Sequence, residues 1–434
     1  MDDRTLVAIV GTIATLVLML MRVPIGTSLG LVAVGGFAYL VSPEAALGIM
    51  IDSPIRTVTN FNFSVVPMFI LMGALVSVSG MSRELFRAAT AWVGHLPGGM
   101  AIATILACGG FAAINGSSVA SAATMTQVAL PEMRRAGYDP GLSAGVVAAG
   151  GTLGIMIPPS VMFILYAILT ETDVGSLFIA GILPGILAIT LYCATVLIIY
   201  YNRPALLPSG KPADWNEKID SLRDVWATLL LFVIIMGALY GGFVTITEAA
   251  GVGVFGALVI GVARRRLGWS QTVEALIEAL RTSASIFFIL IAAFLFQYFL
   301  AVTQASVLLG DFLKSLPFGS LGVVISILIF YIVAGMVVDE IAMVLLTIPI
   351  FFPIVVGLGF DPVWFGVLIV VTIQIGLIAP PVGIICFIMN NMVPDIGLMN
   401  IYKGAMPFVI ADLIWLALLV AFPEISLYLV KLMG

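Results

Sequence analysis

The sequence predicts an all-α polytopic membrane protein that contains an inverted repeat. Of its 434 residues, 62% are hydrophobic and only 9% are charged, whereas soluble domains carry about 25% charged residues. The apolar runs are about 17 to 25 residues long, which suits a hydrocarbon core of roughly 30 Å. Motifs of the first half also recur at a fixed spacing in the second half. We therefore expect the protein to fold and to act within a lipid bilayer.

The residue inventory excludes several classes of function. His95 is the only histidine, the three cysteines lie far apart in apolar runs, and no Walker-type phosphate loop occurs. A histidine-based catalytic site, a disulfide framework and ATP hydrolysis by the chain itself are therefore not expected. The net charge of -5 is small for this length and gives no indication of nucleic-acid binding. We predict neither an enzyme nor an organic cofactor.

Ten apolar runs are predicted to be spans, and two further stretches, 99–131 and 319–358, are interrupted by polar residues. The first run lacks a small-residue cleavage site and is followed at once by Pro24, so we predict a retained helix rather than a signal peptide. The predicted spans lie near 5–21, 24–41, 62–79, 142–171, 177–201, 224–243, 244–263, 283–301, 361–393 and 404–422.

Positive charge predicts the orientation of the chain in the membrane. The polar linker 202–223, which includes Lys211, and the basic run 264–266 flank one pair of spans, so they share one side. Their excess of Lys and Arg makes that side cytoplasmic. The N-terminus is then outside, which is the periplasmic face in a Gram-negative bacterium. Only four of the 18 Lys and Arg residues fall on that outer side, namely Arg4, Arg56, Lys314 and Lys431.

Self-similarity indicates a duplication. LPEMRRAGYDP, which ends at Pro140, matches FPIVVGLGFDP, which ends at Pro362, and GIMIPP at 154–159 matches GLIAPP at 376–381, both at an offset of 222 residues. HLPGG and SLPFG match at an offset of 220. The number of crossings between equivalent points is odd, so the repeats are predicted to be inverted. Inverted repeats with helices broken by Gly and Pro are typical of secondary transporters with a site near the bilayer midplane.

Polar residues halfway along each interrupted stretch predict the tips of two re-entrant hairpins. Asn115, Ser117 and Ser118 are residue types that cap helix N-termini, whose dipole favours an anion. Close packing of small residues is the competing interpretation. The equivalent positions of the two serines in the second half are Asp339 and Glu340. These carboxylates could bind a cation, accept a substrate hydroxyl or amino group, or cap the second arm.

The motifs GIMIPP and GLIAPP predict two broken helices. Proline lacks an N–H, so carbonyls four residues earlier lose their donors, and Gly154 and Gly376 permit unusual backbone angles. Free carbonyls suit Na⁺, whereas the helix N-termini beyond the prolines, at Ser160 and Val382, suit an anion. A simple proline kink is the alternative.

Two weaker patterns predict local structure. Thr245 and Glu248 have the spacing of a capping box at the start of a span. Segments 81–95 and 268–282 carry charges on one face and apolar residues on the other, which indicates interfacial amphipathic helices.

These residues resemble a known family. The runs NGSSVASAATM, ALPEMRRAGYDPGLSAGVVAAGGTLGIMIPPS, ITEAAGVG and IAPPVG are similar to the large permease subunit of tripartite ATP-independent periplasmic (TRAP) transporters, the DctM-like family. The resemblance implies an elevator-type carrier of the ion-transporter superfamily in the bacterial inner membrane, with a scaffold and a transport domain. It implies two or more coupling Na⁺ ions. It also implies two partners, a small DctQ-like membrane subunit and a DctP-like periplasmic binding protein that delivers an organic anion.

The resemblance also implies site residues. One Na⁺ site would use Asn115, Ser117, Gly154, Ile157 and Pro159, and a second would use Gly335, Val338, Gly376 and Ala379. The substrate would lie near Ser117, Ser160 and Asp339. The second half has GLIAPP where the first has GIMIPP, so the two ion sites need not be equivalent.

The predicted organisation has five segments. They are 1–63, the N-terminal scaffold helices; 64–201, repeat 1 with a hairpin at about 99–131 and a broken helix at about 142–171; 202–282, the cytoplasmic linker, a scaffold helix pair and an amphipathic arm; 283–422, repeat 2 with a hairpin at about 319–358 and a broken helix at about 361–393; and 423–434, a C-terminal tail.

Alternatives remain at this point. A proton-coupled carrier would use Asp339 or Glu340, a passive channel would line a pore with the hairpins, and an intramembrane hydrolase would lack an evident base other than the acids. The substrate is open among C4-dicarboxylates, sialic acids, keto acids and sulfonates.

Overall fold

The protein is all-helical in the residues that its computed structural model describes, which are 3–433 apart from 211, 316 and 318. These residues form twenty α-helices and three short 3-10 turns, which are joined by loops, with no strand among them. Seven of the helices are long and apolar enough to cross a membrane. This confirms the predicted fold class, an all-α polytopic membrane protein. Lys211 of the predicted linker, and two residues of the motif SLPFG, lie outside the described residues.

The first three helices are α1 (Asp3–Leu20), α2 (Ile25–Leu40) and α3 (Pro43–Thr59). The third was not among the predicted spans, because Asp52, Pro54 and Arg56 interrupt its apolar residues. Its start is nevertheless a standard N-cap, since the Ser42 hydroxyl accepts a hydrogen bond from the Ala45 amide at 3.1 Å.

A 3-10 turn, Phe61–Ser64, leads into α4 (Val65–Val78) and then α5 (Met81–Val93). Helix α5 is amphipathic, as predicted for 81–95, and buries Leu85 and Phe86. Its Glu84 accepts hydrogen bonds from the Arg264 guanidinium at 2.7 and 3.0 Å. This partly buried bidentate pair fixes α5 to the basic run 264–266.

The next four helices are α6 (Gly99–Asn115), α7 (Ser118–Arg135), α8 (Pro140–Thr152) and α9 (Val161–Thr170). Gly116 joins α6 to α7 with φ +66°, a conformation that favours glycine. A 3-10 turn, Leu153–Ile155, ends α8, and the prolines of GIMIPP separate it from α9.

Three long helices follow: α10 (Val174–Asn202), α11 (Trp215–Tyr240) and α12 (Ile246–Ala263). The predicted capping box at the start of α12 is confirmed. Glu248 accepts a hydrogen bond from the Thr245 amide at 2.8 Å, and the Thr245 hydroxyl accepts one from the Glu248 amide at 3.3 Å.

Helix α13 (Trp269–Thr303) corrects one prediction. The amphipathic arm 268–282 and the span 283–301 were expected as separate elements, but they form one helix of 35 residues. The reason is local: no Gly or Pro lies between 269 and 303 to end the helix.

The second half repeats the order of short helices. After α14 (Ala305–Ser315) come α15 (Gly319–Gly335), α16 (Glu340–Gly357), α17 (Pro362–Ile378) and α18 (Ile384–Met392). The chain ends with α19 (Leu398–Ala421) and α20 (Glu424–Met433), so the predicted tail is helical as far as Met433.

Small residues let the two halves pack closely. A Cβ added to Gly145 of α8 would lie 2.0 Å from the carbonyl carbon of Gly404 in α19, so the two backbones are in contact. Helix α17 is buried over nearly its whole length. The interior therefore lies between helices of both halves, and the short helices meet there.

Candidate functional site

The first tip is the turn between α6 and α7. The Ser117 hydroxyl accepts a hydrogen bond from the Ala120 amide at 3.4 Å, which makes Ser117 the N-cap of α7. The Asn115 amide group donates to the Ser117 carbonyl at 3.4 Å and to the Ser121 hydroxyl at 3.2 Å. Asn115 therefore fixes the turn from within.

The first break separates α8 from α9. Pro158 cannot donate to the carbonyl of Gly154, four residues earlier, and the Pro158–Pro159 peptide bond is cis. The Ser160 hydroxyl accepts from the Phe163 amide at 3.4 Å and donates to the Ile155 carbonyl at 2.5 Å. Ser160 is fully buried. In this conformation Ser160 caps α9 and links its first turn to the end of the preceding 3-10 turn.

In the first half, the tip between α6 and α7 packs directly on the break between α8 and α9. The Val161 amide donates to the Gly116 carbonyl at 3.4 Å. A Cβ added to Gly154 would lie 2.4 Å from the Ser117 carbonyl oxygen, so only glycine permits this approach. The structure thus brings together Asn115, Ser117, Gly154 and the proline pair. The Ile157 side chain points elsewhere, toward the Cα atoms of Gly109 and Gly185.

The second half has the same arrangement. Asp339 is the N-cap of α16, and its Oδ1 accepts from the amides of Ile341 and Ala342 at 3.1 and 3.3 Å. The Gly383 amide donates to the Met336 carbonyl at 3.2 Å, as Val161 does to Gly116. A Cβ added to Gly376 would lie 2.5 Å from the carbonyl carbon of Gly335.

The second break also contains a cis proline pair, Pro380–Pro381. It follows Ala379, which ends α17 in an extended conformation. Pro380 cannot donate to the Gly376 carbonyl, as Pro158 cannot to that of Gly154. Val338 lies between Gly335 and the cap Asp339, at the second tip.

The two tips touch through one buried hydrogen bond. The Ser118 hydroxyl donates to Glu340 Oε2 at 2.7 Å, and both side chains are buried. From the sequence, Ser118 was expected only to cap a helix and Glu340 to bind a cation, a substrate group or a proton, and no contact between them was predicted. Their offset of 222 residues, the offset of the duplication, was the signal that could have paired them.

Two cavities with polar residues in their lining lie at opposite ends of α4. The larger, about 1000 Å³, is lined near the start of α4 by Asn60, Asn62 and Val65 and on the other side by residues of α9 and α13. The smaller, about 470 Å³, is lined by residues 77–80 at the end of α4 and by polar residues of α7. Ser117, Ser160 and Asp339 line neither cavity. In this conformation Ser160 is buried, whereas Ser117 and Asp339 are partly exposed.

The charge of the site is distinctive. The described ion pairs of Lys and Arg lie away from the tips and breaks, and no Lys or Arg occurs in the motifs that form them. Four helix N-termini, of α7, α9, α16 and α18, begin there instead. Such N-termini present backbone N–H groups and a favourable dipole to an anion. The carbonyls freed by proline are ligands of the kind that a hard cation binds.

The fold and the paired tips and breaks define a multi-pass helical transport protein of the membrane. Residues 12–425 match the family described as tripartite ATP-independent periplasmic transporter, DctM component. The chain belongs to this family, the large permease components of TRAP transporters. The resemblance seen in the sequence is confirmed, as is the expectation of a transporter rather than an enzyme.

Curated relatives cover nearly the whole chain. The C4-dicarboxylate TRAP transporter large permease protein DctM of Pseudomonas aeruginosa is 36% identical over 91% of this chain and 92% of its own length. The sialic acid large permease protein SiaM of Vibrio cholerae is 30% identical over 94% and 95%. The isethionate permease protein DctMQ of Oleidesulfovibrio alaskensis is 31% identical over 94% of this chain and 64% of its own length.

A solved structure shares the fold. The YdaH transporter of Alcanivorax borkumensis, described as having an unusual topology, superposes with a TM-score of 0.63 at 14% sequence identity. The match covers 89% of this chain and 90% of that one. At this identity the likeness concerns the fold alone.

Proposed function

We propose that this permease carries out Na⁺-coupled uptake of a small organic anion by an elevator mechanism. The observation that carries the proposal is the tip packed on a break, present once in each half with the same backbone hydrogen bond. Two copies of one arrangement, joined by the Ser118–Glu340 contact, supply two groups of free carbonyls on either side of one region.

The two groups of carbonyls are the proposed Na⁺ sites. The first comprises Asn115, Ser117, Gly154, Ile157 and Pro159, and the second Gly335, Val338, Gly376 and Ala379. Support comes from the prolines, which remove the amide donors of the Gly154 and Gly376 carbonyls, and from the close approach of each glycine to its tip. Neutral oxygen ligands suit Na⁺ because it is a hard cation.

The substrate region is proposed between the tips, near Ser117, Ser160 and Asp339. An anion there would meet helix N-termini rather than Lys or Arg. The names of the relatives support a small organic acid, a C4-dicarboxylate or a related carboxylate or sulfonate. In an elevator cycle, the substrate region would connect first to the cavity at one end of α4 and then to the cavity at the other end. The Ser118–Glu340 hydrogen bond would break or form as the accessible side changes.

The proposal includes partners and location. A tripartite transporter needs a periplasmic binding protein and a small membrane subunit, and we propose that both act with this chain. The protein would lie in the inner membrane with its N-terminus in the periplasm, because that orientation places most Lys and Arg residues in the cytoplasm.

Transport in proteoliposomes tests the coupling. The permease would be reconstituted with its small subunit and supplied with the binding protein loaded with a radiolabelled C4-dicarboxylate, then with sialic acid and isethionate. Accumulation is expected only under an inward Na⁺ gradient. Accumulation that persists when K⁺ replaces Na⁺ on both sides would contradict Na⁺ coupling, and loss of saturation with rising substrate would indicate a channel.

Proton coupling is the second candidate, and one observation favours it. Glu340 is buried and takes part in none of the described ion pairs, so it is placed to bind a proton. In that case uptake would follow an inward pH gradient without Na⁺, and Glu340→Gln would abolish that dependence.

A further inference from the structure

A second buried polar cluster lies behind the breaks, apart from the tips. It consists of Thr152 of α8, Tyr192 of α10, Gln374 of α17 and Asp412 of α19, and none of the four has measurable exposure to solvent. None of them was selected from the sequence or belongs to the proposed tip and break sites. Polar groups this deep in a membrane protein are costly and are functional by default.

The hydrogen bonds of the cluster centre on Tyr192. Its hydroxyl donates to Asp412 Oδ1 at 2.6 Å and accepts from Gln374 Nε2 at 3.0 Å. The Tyr192 hydroxyl has a single hydrogen, and it donates that hydrogen to Asp412. The Gln374 side chain must therefore present its NH2 group, not its oxygen, to the Tyr192 oxygen. The Thr152 hydroxyl donates to the Ala149 carbonyl at 2.7 Å and lies 3.4 Å from the Tyr192 oxygen.

This arrangement leaves acceptors without donors. Asp412 Oδ2 and Gln374 Oε1 are buried and have no hydrogen-bond partner among the described residues. The Thr152 hydroxyl uses its hydrogen in the bond to the Ala149 carbonyl, so its oxygen can act only as an acceptor. Asp412 takes part in none of the described ion pairs. The cluster therefore lacks positive charge, and a buried carboxylate without a counter-ion is strongly disfavoured.

The cluster lies where the two halves meet. Thr152 and Gln374 are 222 residues apart, and each stands two residues before the glycine of its break. Tyr192 and Asp412 are 220 residues apart, the second offset of the duplication. A residue that contacts its own counterpart must lie at the junction of the repeats, as Ser118 and Glu340 do. Both breaks are thus adjacent to this one cluster.

We propose that the cluster is a further Na⁺ site, with Asp412 Oδ2, Gln374 Oε1 and the Thr152 hydroxyl as ligands. One carboxylate and neutral oxygens suit a monovalent hard cation, whereas Ca²⁺ sites use six to eight oxygens and usually several carboxylates. The described residues contain no group of three or more His, Cys, Asp or Glu that would indicate a transition metal. The inference rests on the proposed Na⁺ coupling and adds an ion that both breaks share.

The test is Asp412→Asn in the full-length chain. The asparagine keeps the shape and the acceptor for Tyr192 but removes the charge. Thermal stability of the purified protein would be measured as NaCl replaces choline chloride, and the number of ²²Na⁺ ions bound per protein would be counted by equilibrium binding. One fewer ion is expected in the variant, and without Na⁺ it should be at least as stable as the wild type. The matched control is Asp395→Asn, whose carboxylate is exposed and pairs with Arg134.

The number of bound Na⁺ ions separates this site from the proposed coupling. A variant that binds as many ions as the wild type, with the same NaCl dependence, overturns this site and leaves the proposed coupling intact. A change in the pH dependence of stability without a change in ion number would also overturn it, because a proton then supplies the missing charge. A wild type without any Na⁺ response overturns both proposals. If Asp412→Asn does not fold, Gln374→Met should raise the half-saturating Na⁺ concentration about tenfold or more, and an unchanged value overturns the site.

Discussion

At the scale of single residues, Ser118 and Glu340 hold the two tips together. Their bond is buried, and the carboxylate takes part in none of the described ion pairs. Losing the donor of a buried hydrogen bond leaves its acceptor desolvated and without a partner. The contact therefore favours the conformation described here.

Ser118→Ala should destabilise this conformation. The change leaves Glu340 Oε2 without its hydrogen-bond donor, at a cost of about 1–3 kcal/mol. It should lower the apparent melting temperature of the purified protein by several degrees. Glu340→Gln is the matched control, because its side-chain oxygen still accepts from Ser118. If both variants melt together with the wild type, the contact does not stabilise this conformation.

Single residues also show what could be predicted from sequence. Ser117, Ser160 and Asp339 cap helices, and residue type with position after an apolar run is enough to indicate a cap. The bonds from Ser118 to Glu340 and from Tyr192 to Asp412 join residues more than 200 positions apart. Such contacts depend on how the halves pack, so only the offset of the duplication pointed toward them.

At the scale of elements, the broken helices follow from local signals. A proline pair that follows a glycine within an apolar run ends a helix, so both breaks were visible in the sequence, whereas single prolines such as Pro54 and Pro407 lie within helices. Helix α3 was missed because charged residues and Pro54 interrupt its apolar pattern. The continuity of α13 was missed because a change from amphipathic to apolar composition resembles a boundary without being one.

Restoring the amide donors should weaken Na⁺ binding at the first break. In Pro158→Ala/Pro159→Ala, the new N–H at position 158 can donate to the Gly154 carbonyl, which then becomes a poorer ligand. The half-saturating NaCl concentration for thermal stabilisation should rise about tenfold. Pro407→Ala, in the interior of α19, is the control and should leave it unchanged. Equal Na⁺ responses in both variants would argue against ligands at this break.

At the scale of the whole molecule, the two halves share one interior. Gly145 of α8 meets Gly404 of α19, and α17 of the second half is buried among helices of both. The described part of the polypeptide between α10 and α11 contacts the first half: the Leu206 carbonyl accepts a hydrogen bond from the Asp139 amide at 3.0 Å, and the Gly210 amide donates one to the Gly94 carbonyl at 3.2 Å. Packing between the halves, rather than the connecting chain, holds them together.

Two fragments cut between Pro212 and Ala213 should therefore assemble when expressed together. An affinity tag on the first fragment is expected to retain the second through purification in mild detergent, and each fragment alone should be poorly recovered. A cut between residues 282 and 283 is the comparison, because it divides the continuous helix α13. Similar recovery from both cuts would mean that an intact α13 contributes little to assembly.

The length of α13 has a mechanical consequence. At 1.5 Å per residue, its 35 residues extend about 52 Å, well beyond a hydrocarbon core of roughly 30 Å. Its first four turns, which carry Glu274, Glu278 and Arg281, therefore reach the head-group layer or lie beyond it. The same rigid rod packs along α2 and α4 deeper in the bilayer. A force applied at its polar end, by a lipid or a bound subunit, would reach α4 and the cavities at both its ends without passing through a hinge.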